Sequence, residues 1–191
     1  MVRSYTSEPV SREAVARIAA AARCAPSGGH SQGQRLLVVT EPDLLEQLAE
    51  WERRDPSGPP GAEPWFGTAA AHVLVMTREQ DYHDRYRRDD KLVDGQEIEW
   101  PVPFWFVDAG ASLMLVLLAA IDEGLAAGVY GVPGEDEPWL RGLLRIPDEL
   151  AIVAGVTLGW PAPDPVWSAA SSRSTQPRRP PAETIRWQRW T

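Results

Sequence analysis

Apolar residues first recur at helical spacing along the chain at Val15, Ile18, Ala19 and Ala22, behind Ser11, whose hydroxyl suits an N-cap. The spacing predicts an amphipathic helix. Residues 36–40, Leu-Leu-Val-Val-Thr, form a short β-branched run that reads as a buried strand, and 71–77 and 151–158 read the same way. A second helix is predicted from Glu41-Pro42-Asp43, with proline in the first turn and acids near the positive end of the dipole. Residues 109–121 are almost continuously apolar between Asp108 and Asp122. That run is too short to cross a bilayer, and a helix over 106–126 that is apolar nearly all round is expected at the centre of the molecule. Gly124 and Gly128 are expected to end it, with residues 129–132 following as a short strand or extended turn. A small amphipathic helix is predicted over 137–144 and is broken by Ile146-Pro147-Asp148.

Between these elements lie three polar stretches. Residues 25–35, Ala-Pro-Ser-Gly-Gly-His-Ser-Gln-Gly-Gln-Arg, let backbone approach a ligand closely and offer N–H groups, a hydroxyl and an amide. Residues 55–64 are rich in Pro and Gly and read as loop. Residues 78–102 are strongly charged and run into Trp-Pro-Val-Pro-Phe-Trp-Phe at 100–106. The 78–105 segment suits a lid over a flat ligand, or equally a surface helix whose tryptophans pack against a subunit. Residues 161–191, rich in Pro, Ser and Arg, have little capacity for a core of their own, and their alternating end at 184–190 suits an edge strand. The expected fold is α+β, a single domain over 1–191. It has a mixed sheet with helices on both faces, a long central helix and a C-terminal arm reaching a dimer partner.

Composition narrows the chemistry. With 191 residues and 43% hydrophobic content the chain can bury one core, and a net charge of −8 argues against a nucleic-acid groove or an anionic membrane surface. Arg173, Arg178, Arg179, Arg186 and Arg189 nevertheless crowd the last segment, which suits a locally held phosphate or an ordinary solvated tail. Cys24, the single cysteine, is expected as a packed core thiol on the apolar side of the first helix. No charged-then-apolar leader opens the chain, so a cytoplasmic location is expected. His30, His72 and His83 stand apart without metal-ligand spacing. Neither a phosphate loop, a Gly-x-Gly-x-x-Gly fingerprint nor a Gly-x-Ser-x-Gly elbow occurs, so a nicotinamide would act as a transient reductant only.

The segments in chain order resemble the nitroreductase-like family of FMN-dependent oxidoreductases. Arg3-Ser4-Tyr5-Thr6-Ser7-Glu8-Pro9-Val10 resembles its opening motif, and Ala25-Pro26-Ser27 with Gln32 its Ala-Pro-Ser-x-x-Asn-x-Gln loop. Asp108-Ala109-Gly110 and Ala119 to Leu125 resemble its central helix. Ile146-Pro147, Leu158-Gly159-Trp160-Pro161 and Arg178-Arg179-Pro180 are similar to its later motifs. His30 stands in place of an asparagine, and Gly33-Gln34 in place of Pro-Trp, which removes a bulky anchor and loosens that wall.

The resemblance implies an FMN-binding homodimer with two sites at the subunit interface. Arg3 would contact the polar edge or ribityl side of the flavin. Pro26, Ser27, His30 and Gln32 would line its ring, Tyr130 and Gly131 would bring main chain near N5, and Arg178 would pair with the phosphate. Without the arginine cluster that usually precedes the position of Arg3, phosphate binding falls to the C-terminal arginines or to residues upstream of this start. NAD(P)H would reduce the flavin, and a flat electron-poor small molecule such as a quinone or nitroaromatic would take the electrons, with no dedicated catalytic side chain. The alternatives are a biosynthetic dehydrogenase using oxygen, a dimeric scaffold without flavin, and a flavin-storing protein whose pocket is filled by the aromatic residues of 100–106.

Overall fold

A computed structural model describes residues 2–54, 64–163 and 177–189. Four strands, β1 (Gln34–Val39), β2 (Ala71–Thr77), β3 (Ala126–Tyr130) and β4 (Ala151–Gly159), form a sheet in the order β1-β2-β4-β3. All three pairings are antiparallel, so the α+β class is as expected while the sheet is not mixed. The connections allow this: hydrogen-bonded neighbours are joined by helices and loops that return the chain from either end.

Central strand β2 is buried on both faces, and its alternation divides the core. Ala71, Val73 and Val75 face α1 (Arg12–Ala22) and α4 (Phe104–Asp122), packing with Val15, Ile18, Ala109, Val116 and Val156. Leu74 and Met76 face the opposite layer, with Leu48 of α2 (Pro42–Arg54), Leu140 of α5 (Glu137–Leu144), Phe66 and Tyr130. Ser11 caps α1, its Oγ accepting from the Ala14 N–H at 3.1 Å. The N-terminal segment is sewn to the end of β4: Thr6 N–H donates to the Trp160 carbonyl, and the Tyr5 hydroxyl lies 2.7 Å from Thr157 Oγ1.

Helix α4 departs from expectation. At 19 residues it is long and apolar enough, by length and composition, to cross a membrane, and only 33% of that stretch is buried. Its inner face carries Trp105, Asp108, Ala109, Ser112, Val116 and Ala120 against α1 and the sheet. Its outer face leaves Val107, Met114, Leu118 and Ile121 exposed at 55, 52, 55 and 68%. It is therefore central to the fold but not enclosed by it, because a helix touching one sheet and one neighbouring helix can bury only part of its circumference. Gly124, at φ 74°, follows it in the left-handed region, and the Leu125 N–H returns to the Ala120 carbonyl at 2.8 Å.

Among the described residues there are two further α-helices, α3 (Gln80–Tyr86) and α6 (Pro181–Thr184). The tail does not form the edge strand expected over 184–190. Within the described residues 177–189 there is one exposed helical turn and no strand. Trp190 and Arg173 lie outside the described residues, as does most of the 55–64 loop.

Candidate functional site

The loop between α1 and β1 has a conformation its sequence does not favour. Gly29, His30 and Gln32 have φ of 57°, 59° and 54°. For glycine that costs nothing, but each of the two other residues gives up about 1–2 kcal/mol in the left-handed region. Bonds inside the loop close the turn. Ser27 Oγ accepts from the Gln32 N–H at 2.9 Å, Ser31 Oγ donates to the Gly28 carbonyl at 2.6 Å, and the His30 N–H donates to the Ser27 carbonyl at 2.9 Å.

Groups from outside brace it. Asp108 on α4 accepts the Gly28 N–H on Oδ2 at 2.8 Å, and the same oxygen accepts the Tyr82 hydroxyl at 2.8 Å. Burial and then the neighbouring Asp108 carboxylate push the Tyr82 hydroxyl's pKa up, keeping it a donor. Arg85 Nε donates to the Gly29 carbonyl at 2.8 Å, Gln34 Nε2 to that of Pro26 at 2.9 Å and Arg35 to that of Gln32 at 2.7 Å. At Gly33 the wall expected to be loose is tight, because the Tyr82 ring lies where a Cβ would go. Tyr82, from α3, is the bulky anchor there.

The loop opens onto a cleft of about 650 Å³ bounded by the end of α1, the start of β1 and α4. Pro26, His30 and Gln32 line it together with Gln34, Arg35, Leu36 and several alanines of α1. Ser112 also lines it, 1% exposed, its Oγ without a hydrogen-bond partner. Cys24 lines it too and is exposed, which corrects its expected place in the core. Helix α1 stops at Ala22, and the turn that follows carries the thiol out to the cleft. A charged recess of about 640 Å³, with Asp81, Arg85, Arg88 and Asp90, adjoins through His30, Gln32 and Arg35. A larger cleft of about 890 Å³, at the other end of β1 by Thr6 and Thr40, holds none of these residues.

The remaining candidates lie elsewhere. The Arg3 guanidinium sits 5.6 Å from the centre of the Trp65 ring, beside β3, where the Val2 N–H donates to the Ala127 carbonyl. Tyr130 ends β3, its side chain buried with its ring 4.4 Å from Phe66 and its hydroxyl 3.0 Å from His72 Nδ1. Gly131 follows on the surface, and Arg178 is exposed in the tail. β1 and β3 are opposite edges of the sheet, roughly 14 Å apart side to side as three strand spacings, and the cleft loop and the Val2–Ala127 bond beside Arg3 lie at opposite ends of the strand register as well. One chain gathers Pro26, His30 and Gln32, with Ser27 spent on holding the loop, and leaves Arg3, Tyr130, Gly131 and Arg178 apart from them.

Asp108, Tyr82, Arg85 and Ser112 escaped the reading of site residues from the sequence. For the first, the available signal was a carboxylate inside an apolar helical run; for the tyrosine and the arginine there was none. In the 78–105 segment, Trp100 packs on Tyr86 at 4.5 Å and donates its Nε1–H to Glu97 at 2.8 Å. Glu97 also bonds His83 and Arg87, so the segment is pinned to α3. Trp100 and Trp105 do not line the cleft.

A family model described as the Nitroreductase family matches residues 1–160. Among curated proteins, a nitrobenzene nitroreductase of Ectopseudomonas oleovorans is 28% identical, the match covering 83% of this chain and 81% of that protein. An FMN reductase (NAD(P)H) of Bacillus subtilis is 28% identical over 98% of this chain and 69% of that protein. Among solved structures, nitroreductase A from Vibrio parahaemolyticus superposes with a TM-score of 0.70 at 22% identity, covering 100% of this chain and 72% of that one. NADPH:FMN oxidoreductase from Vibrio harveyi, complexed with NAD+, gives 0.67 at 22% identity, covering 100% and 74%.

Proposed function

Because the chain belongs to the nitroreductase family, we propose that it is an FMN-dependent oxidoreductase taking hydride from NAD(P)H and reducing a flat electron-poor acceptor of the quinone or nitroaromatic type. The observation that carries this reading is the braced, left-handed loop at the mouth of a cleft with an unpartnered, buried Ser112 Oγ. A loop that holds His30 and Gln32 in disfavoured geometry is preorganised for a ligand, and an orphan hydroxyl asks for a polar partner.

These donors fit a flavin. Gln32 and His30 present side-chain hydrogen-bonding groups, Pro26 and the alanines of α1 offer an apolar wall, and Ser112 adds a hydroxyl. Arg3, and Arg178 in the tail, are the cations for the ribityl and phosphate groups. When bound, the flavin supplies the hydride chemistry. The chain's own residues would bind it, orient it and restrict water. His72 is buried among aromatic rings with its pKa pushed down to about 3, so it stays neutral and is no proton donor at neutral pH.

The separation of Arg3, Tyr130 and Gly131 from the loop supports a site built from two copies, with the loop of one chain meeting β3 of the other. The exposed apolar face of α4 supports the same homodimer, since a run of Val107, Met114, Leu118 and Ile121 is the surface a second copy would cover. Trp100 and Trp105, held against α3, leave the cleft clear, which favours turnover over storage.

The test is an absorption spectrum after incubation with FMN and desalting, followed by NAD(P)H oxidation with a quinone. A retained flavin band and acceptor-dependent oxidation are expected. A colourless protein would refute the reading, and bound flavin without turnover would make it a flavin store.

A further inference from the structure

The bonds within the cleft loop shape its turn, but they do not attach it to the body of the protein. The attachments among the described residues include the Arg85 bond to Gly29, the Gln34 and Arg35 bonds to neighbouring carbonyls, the Arg78 N–H bond to the Gly33 carbonyl, and the Asp108 bond to Gly28. Gln34 and Arg35 belong to the strand that continues the loop, and Arg85 also forms an ion pair with the exposed Asp90. Asp108 alone among these comes from α4, and it is buried. We propose that Asp108 is the positioning residue of this site: its carboxylate holds the Gly28–Gln32 turn so that His30 and Gln32 meet the ligand in one fixed arrangement. This rests on the flavin reading for the ligand, though not for the loop.

The chemistry of the position favours that role. Within residues 104–121 Asp108 is the one charged side chain, and burying a carboxylate is tolerated only where donors surround it. Its donors are a backbone N–H 80 residues away and the hydroxyl of fully buried Tyr82. Tyr82 packs against Gly33, and the Tyr86 ring lies where a Cβ on Gly29 would go. One oxygen thus ties α4, α3 and both ends of the turn. A glycine amide, unable to move its donor by a rotamer change, takes its position from the acceptor.

The conservative variant separates geometry from charge. In Asp108→Asn the amide oxygen still accepts both bonds; in Asp108→Ala nothing does. FMN fluorescence titration is expected to give at least a tenfold weaker Kd for D108A and less than about a threefold change for D108N. The visible band of bound flavin should shift in D108A only. Amide hydrogen exchange without flavin is the independent readout: residues 27–32 should exchange faster in D108A, with β2 and β4 unchanged and D108N like wild type. Should D108A not fold, D108S, whose hydroxyl is too short to reach Gly28, takes its place. Wild-type affinity and wild-type loop exchange in D108A would overturn the proposal, as would a loss of protection throughout the molecule in both variants. If the wild type binds no FMN the flavin reading fails, while the exchange experiment still decides the role of Asp108.

Discussion

His83 Nδ1 on α3 and Glu97 Oε1 on the following loop share a short hydrogen bond that fastens the charged segment to the body of the protein. Glu79 approaches His83 Nε2 at 3.3 Å, the Trp100 indole donates to the same Glu97 oxygen as His83, and Arg87 donates to Glu97 Oε2. Trp105 of α4 packs on the imidazole.

The pair makes this segment pH-sensitive. Burial opposes the charged imidazole, but the bonds and charges of Glu97 and Glu79 outweigh it and raise the His83 pKa above its ordinary 6.5. Burial likewise opposes the Glu97 carboxylate, but Trp100, His83 and Arg87 lower its pKa below 4.5. The His83 contribution is full below 6.5 and is lost as pH rises through the raised value. That of Glu97 is present above 4.5 and is lost as pH falls through the lowered one. Protection factors over 88–100, with the intrinsic pH dependence of amide exchange divided out, are expected to be highest between those ordinary values and to fall as pH rises above 6.5, with H83Q removing the alkaline fall. A wild-type profile that stays flat to pH 8.5 would count against the latch.

The exposed face of α4 gives a second expectation. Met114→Glu with Leu118→Glu places two charges on the surface proposed above to meet a second copy. Light scattering on a sizing column should report a dimer for wild type and a monomer for the double variant, with FMN affinity at least tenfold weaker. A monomeric wild type that retains FMN would break the link between assembly and site.

Glycines at tight and open places should respond oppositely. A Cβ at Gly33 would meet the Tyr82 ring and come within 2.8 Å of the Arg78 carbonyl, so G33A is expected to destabilise by about 1–3 kcal/mol in urea. Gly142 in α5 has open space around it, and G142A should stabilise by up to about 1 kcal/mol.

Buried His72 sets an acid limit. Desolvation pushes its pKa down from 6.5 to about 3, so its stabilising contribution is present above 6.5 and is lost as pH falls toward 3. Urea midpoints measured from pH 7 to pH 4 should fall, and His72→Phe should flatten that slope. Tyr130→Phe, which removes the hydroxyl beside Nδ1, is expected to cost about 1 kcal/mol at neutral pH.

Much of the architecture was legible locally. Ser11 and the 3.6-residue spacing after it predict α1, the apolar run at 71–77 coincides with β2, and the span predicted for α5 is the one observed. The loop at 25–35 was recognisable as a segment open to close backbone approach, because such approach needs small residues. Periodicity records which side of an element is apolar, however, and not what covers that side. That is why α4 read as enclosed while Val107, Met114, Leu118 and Ile121 are bare, and why Cys24 read as core although the helix ends two residues before it.

The sequence by itself determined the α+β class and the order of helices and strands, because these follow from spacing and local backbone preference, while Pro26, His30 and Gln32, which line the cleft, were pointed to by the family resemblance. Only the tertiary structure decided that Asp108 meets Gly28, that Tyr82 fills the space left by Gly33, and that Arg3 and Tyr130 lie away from the loop. Those facts depend on which distant surfaces the sheet order and the packing of α3 and α4 bring within hydrogen-bond reach, and no spacing along the chain encodes a contact across 80 residues.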